Sequence, residues 1–100
     1  MEEDRQLELQ SLQQQLQILS LQKQQMKIQS DEIDHALKEI ESAKGDIYRL
    51  VGPVLLKSTK EEVVKDLNDK KATLEARIQI LEKQEERIKK QFSESKKNKQ

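Results

Sequence analysis

Cysteine is absent from the 100 residues, and proline (one), glycine (two) and aromatic side chains (Tyr48 and Phe92) are scarce. The lack of cysteine excludes a disulfide framework and thiolate chemistry, and permits an intracellular address. Two rings give no stacking platform for nucleobases. Gly45 and Gly52 stand alone, so there is no glycine-rich loop to hold a nucleotide. No window approaches the roughly 20 apolar residues that span a bilayer, and no apolar core follows the acidic start Met1-Glu2-Glu3-Asp4-Arg5, so a cytosolic location is expected. Acidic and basic residues, 19 of each, cancel and leave no global field of the kind that draws a protein to nucleic acid. What is present is 33% apolar and 38% charged, too little to fill a broad core and better suited to elongated helices.

Residues 4 to 44 contain no proline and no glycine and are dominated by glutamine, leucine, lysine and glutamate, which predicts one long helix. Its apolar residues alternate steps of three and four through Leu9, Leu12, Leu16, Leu19, Met26, Ile33, Leu37 and Ile40, with Lys23 and Ser30 at the two remaining positions. That is a coiled-coil stripe. Lys44-Gly45 ends it, glycine supplying a left-handed residue and lysine a charge that complements the helix dipole. A second helix is expected over 60 to 94, with a seam of Val64, Leu67, Leu74, Ile78, Leu81, Ile88 and Phe92, interrupted by Lys71 and Glu85. Thr59 with Glu62 has the spacing of a capping box at its start, and Ser58 with Glu61 offers a second register. The lysine-rich residues 95 to 100 are expected to form a frayed tail.

Between the helices, residues 46 to 58 change character. Ile47, Tyr48, Val51, Val54 and the leucines favour strands, and Gly52-Pro53 lies between two runs of similar length, which predicts a β-hairpin. Folding back at that turn pairs seam residues whose numbers sum to about 104, placing Ile40 by Val64, Leu37 by Leu67, Met26 by Ile78 and Leu12 by Phe92. Lys23 and Glu85 then occupy neighbouring layers, where they either pair across the seam or reach outward. The expected fold is mostly α: one domain over residues 1 to 100, a long antiparallel two-helix coiled coil with a single central hairpin.

Catalysis is not expected, because a coiled coil has no concave pocket to shift pKa values or exclude water. His35 falls opposite the seam on a solvated face, so neither a metal nor a cofactor is expected there. The basic residues Arg87, Lys89, Lys90, Lys96, Lys97 and Lys99 read as a solvated helix end rather than a phosphate-binding surface, and a nucleic-acid-binding arm ranks third among possible functions. Ile18, Leu21 and Ile28 lie off the seam, where scattered exposure competes with a second contact surface. The hairpin is different. Ile47 and Val51 alternate with Tyr48 and Leu50, and Val54 and Leu56 with Leu55, so both faces are apolar and an assembly element is expected.

The run Tyr48-Arg49-Leu50-Val51-Gly52-Pro53-Val54-Leu55-Leu56-Lys57, followed by Thr59-Lys60-Glu61-Glu62-Val63, closely resembles the beta class of prefoldin subunits, a molecular chaperone family. The single hairpin also resembles the beta class rather than the alpha class, which has two. The resemblance implies a heterohexamer of two alpha and four beta subunits whose hairpins join into a β-barrel body and whose coiled coils hang from it. It implies an ATP-independent holdase that captures unfolded polypeptides at the arm tips and delivers them to a group II chaperonin. By position, Ile47, Tyr48, Leu50, Val51, Val54, Leu55 and Leu56 would belong to the barrel, and Leu7, Leu9, Leu12, Ile88 and Phe92 to the client-binding tips. The alternative is a coiled-coil tether or scaffold subunit with no affinity for unfolded chains.

Overall fold

Two long helices lie side by side in the computed structural model, which describes residues 2–97. Helix α1 covers Glu2–Ser42 and helix α2 Lys60–Lys97; between them strands β1 (Ile47–Val51) and β2 (Val54–Ser58) form an antiparallel hairpin. The molecule measures 69 × 24 × 15 Å, an arm one helix pair thick. A helix of 41 residues is about 60 Å long, so α1 accounts for most of that length.

Two apolar residues per heptad give a narrow seam, and burial follows it. Leu12, Ile78 and Leu81 are buried, and the other seam positions from Leu9 to Ile40 and from Val64 to Phe92 are half-buried, except Glu85, which is buried. Among the described residues no side chain is fully enclosed, because each helix has one neighbour and leaves its remaining faces to water.

The charged interruptions of the seam are paired. Lys23 Nζ lies 2.6 Å from Glu85 Oε1, so the two charges pair across the helices. Lys71 Nζ donates to Asp34 Oδ1 at 2.5 Å and lies 3.9 Å from Glu75. Among the described residues no buried side-chain nitrogen or oxygen lacks a partner. The hydrogen bond to Glu85 holds the Lys23 ammonium above its ordinary pKa, aided by the charges of Glu85 and Glu82 against partial desolvation. Asp34 does the same for Lys71.

The chain ends its helices somewhat differently from the sequence-based expectation. Helix α1 stops at Ser42, and the Ala43 amide reaches the Ile40 carbonyl at 3.2 Å in a tightened last turn. Gly45 takes the left-handed conformation (φ 97°), but no basic residue lies in the last turn of α1. The dipole-complementing charge comes from Lys60, whose ammonium donates to the Glu41 carbonyl at 2.9 Å. Thr59 caps α2, its hydroxyl accepting the Glu62 amide at 3.2 Å, while the Glu62 carboxylate accepts from the Ser58 hydroxyl at 3.1 Å. Ser95, Lys96 and Lys97, expected in a frayed tail, continue α2, because Ser95 prolongs the seam and donates to Glu8 at 3.2 Å. The rest of that expected tail, 98–100, lies outside the described residues.

The seam and the cap can each be tested by substitution. Replacing Glu85 alone by leucine strands the Lys23 charge against apolar neighbours, so the melting temperature followed by circular dichroism falls; adding Lys23→Met restores or exceeds the original value. A lysine pKa raised by folding contributes stability below its unfolded value and loses it as pH rises through the folded one. The melting temperature therefore falls above about pH 10.4, and falls less in the double variant. Thr59→Ala removes the hydroxyl that accepts the Glu62 amide and costs about 1 kcal/mol of unfolding free energy, measurable in urea.

Candidate functional site

The hairpin register fixes which side chains share a face. Val51 is opposite Val54, Leu50 opposite Leu55, Arg49 opposite Leu56, Tyr48 opposite Lys57 and Ile47 opposite Ser58. The two-residue loop needs positive φ at its first position, which Gly52 supplies at 58°, while Pro53 fixes the second. Cross-strand partners point the same way, so one face carries Ile47, Val51, Val54 and Leu56, and the other Tyr48, Leu50 and Leu55.

Neither face is covered. Ile47 is half-buried, whereas Tyr48, Leu50, Val51, Val54, Leu55 and Leu56 are all at least half exposed, Leu50 reaching 70%. Each strand pairs only with the other, so both outer edges of the sheet are open. Burying these side chains is worth roughly 1.5–3 kcal/mol apiece before the costs of association. The hairpin is also aimed: Arg49 Nη1 lies 2.8 Å from Asp66 Oδ2, which ties β1 to the second turn of α2. A weaker pair at 3.6 Å links Lys57 to Asp46.

The opposite end of the arm is arranged less openly than the sequence suggests. Leu9, Ile88 and Phe92 are half-buried in the distal seam and Leu12 is buried at 7%. Lys96 lies 4.8 Å above the Phe92 ring, covering it with a cation. Of the five expected tip residues only Leu7 is freely exposed, at 63%, on the outer face with Leu21 and Ile28. Ile18 is exposed too, and so is Ile80, which the sequence reading passed over. Its signal was available, since it stands two residues beyond the seam residue Ile78 and off the stripe.

His35 is exposed, and among the described residues no group of histidine, aspartate or glutamate side chains is placed to hold a metal. No described helix is long and apolar enough to cross a membrane.

Comparison with known proteins follows the same outline. The family model for prefoldin subunits matches residues 3–100. A prefoldin subunit beta from Archaeoglobus fulgidus is 38% identical over 90 residues, covering 88% of this chain and 78% of that protein. The corresponding Methanosarcina mazei protein is 44% identical over 89 residues, covering 87% and 76%. Among solved structures, the prefoldin beta subunit from Thermococcus strain KS-1 superposes with a TM-score of 0.89 at 36% identity, covering 94% of this chain and 84% of that one. The beta2 subunit from the same strain gives 0.79 at 26% identity, covering 94% and 99%.

The open hairpin faces yield a direct test. Leu50→Asp with Leu55→Asp places two charges on one face without touching the helix seam. Far-ultraviolet circular dichroism is expected to retain the helical signal, while the mass by light scattering is that of a single chain, alone or mixed with other subunits of the family. An unchanged oligomer would remove this face from assembly.

Proposed function

The chain belongs to the prefoldin family of molecular chaperone subunits, as a beta-type member, and we propose that it is an ATP-independent holdase subunit. In this reading its hairpin joins those of alpha-type and other beta-type subunits in a β-barrel body, two alpha and four beta chains in all. The arms project from that body and hold unfolded polypeptides at their distal ends for delivery to a group II chaperonin in the cytoplasm.

The observation that carries the proposal is the combination of an apolar, open-edged hairpin with a 69 Å arm that has no core beyond its seam. The hairpin demands partners, and partners multiply the arms. A client lacking fixed structure offers varied apolar segments, so weak adaptable contacts on several arms raise affinity through effective concentration. Leu7 supplies a contact as it stands; Leu9, Leu12, Ile88 and Phe92 supply theirs as the distal layers open, which the end of a helix pair does most readily. With no glycine-rich loop for nucleotide, release proceeds by dissociation.

Light scattering of a denatured enzyme diluted into the assembled complex tests this. Aggregation is suppressed at molar excess equally with and without ATP, and Leu7→Ser combined with Phe92→Ala weakens suppression while leaving the complex intact. A complex that leaves aggregation unchanged is a scaffold, and the holdase reading fails.

A further inference from the structure

Helix α1 carries a second stripe of coiled-coil spacing. Leu7, Ser11, Gln14, Ile18, Leu21, Gln25 and Ile28 follow one another in alternating steps of four and three, the rhythm of the seam displaced to the side of the helix away from α2. All of them are exposed, the four apolar ones to between 51% and 63%. The stripe stops where charge begins. Its next position toward the tip is Asp4, and the next toward the hairpin are Glu32, His35 and Glu39.

The rows on either side of the stripe are Gln10, Gln17 and Gln24, and Gln15, Gln22 and Gln29. These are the positions whose charges ordinarily choose a coiled-coil partner, and here they carry none. Helix α2 has no comparable face, since its outward row at the same spacing includes Asp66, Asp69, Lys83, Arg87 and Lys90. An uncharged outer face is therefore particular to α1, in a chain that is 38% charged.

We infer that this stripe packs on the same stripe of a second copy of the chain, parallel and in register. In that arrangement each position meets itself. Leu7, Ile18, Leu21 and Ile28 form four apolar layers, while Gln14 and Gln25 meet their own amides, each with a donor and an acceptor to answer the other. The flanking glutamines bring no like-charge repulsion, which a charged row would impose on self-pairing. Packing on the outward row of a neighbouring α2 would instead set Lys83 and Arg87 against leucine without a counter-charge.

The area decides when the contact forms. Residues 7 to 28 span about 33 Å of a helix about 10 Å wide, roughly 300 Å² per copy against the ~800 Å² per partner of a stable interface. Free arms therefore stay apart. Arms held on one body by their hairpins run parallel and meet at an effective concentration on the order of millimolar, which is enough for a weak contact. The inference rests on the assembly reading and adds to it that arms close in pairs along α1.

Because the chain has no cysteine, a single introduced one reports the contact. Leu21→Cys lies on the stripe and Ile80→Cys on the other helix, at side chains equally exposed, 56% each. Each full-length variant is assembled with alpha-type subunits of the family and oxidised mildly with copper phenanthroline. Position 21 joins two copies by a disulfide several-fold faster than position 80, at a rate unaffected by dilution. Adding Ile18→Lys and Ile28→Lys to the Leu21→Cys chain removes the excess and leaves the mass of the complex unchanged. Equal rates at the two positions overturn the inference, as does a rate that falls on dilution, the mark of chance encounters between assemblies. A position 21 that stays reduced yet is shielded from maleimide is covered by some other partner, and overturns it too. If the mixture shows only the mass of a single chain, the assembly reading falls and the stripe assignment with it; an oligomer whose position 21 stays reduced refutes the stripe alone.

Discussion

A two-helix arm has only one seam, and the rest of this molecule follows from that limit. Each helix can bury one stripe, about two residues in seven, so apolar residues beyond the stripe must face water or a partner. The consequence is visible at both extremes: among the described residues the only buried apolar side chains are Leu12, Ile78 and Leu81, while the hairpin carries six large side chains at least half exposed. A globular domain of similar length would resolve the conflict by wrapping the hairpin. An arm cannot, so the unresolved surface is displaced to its end, where it stays open to water or to a partner.

The same limit makes polar layers tolerable and useful. Lys23 and Glu85 sit in a seam thin enough for the lysine side chain to keep 23% of its surface in water, which reduces the desolvation that a deep ion pair suffers. Each such pair is poorly compatible with a slipped register, where a charge would meet leucine. Asp34 with Lys71 acts alike nearer the hairpin. At the junction itself, Lys60 on the Glu41 carbonyl and Arg49 on Asp66 join three elements with two cations through charge-assisted bonds.

Much of this was legible in the sequence because the information is local or periodic. The three-four spacing gave the seam, Gly52-Pro53 the reversal, Thr59 the cap, and the Ile47 to Leu56 alternation the two apolar faces. What was not legible depends on which residues become neighbours over long separations. Lys60 replaces Lys44 as the charge at the end of α1 because the hairpin returns the chain to that point. Ser95 stays helical because Glu8 lies beside it, 87 positions earlier in the chain. Leu12 reads as a tip residue by position but is buried, since closing the seam covers its side chain while leaving Leu7 on the outer face. That Gln15, Gln22, Gln84 and Gln91 line one flank appears only when the two heptads are set antiparallel.

That flank also shows what a seam with a single neighbour leaves accessible. A contact made only with the inner faces of seam residues would require opening the seam, and its affinity would be reduced by the opening free energy. Leu19 and Ile88 escape this conflict, since they are half-buried in the seam and also form the floor of a groove that faces solvent. Their inner surfaces stabilise the arm while their outer surfaces are available without any rearrangement. A two-helix coil has no third helix to cover that side, so its thinness both limits its core and leaves the edge of the seam accessible.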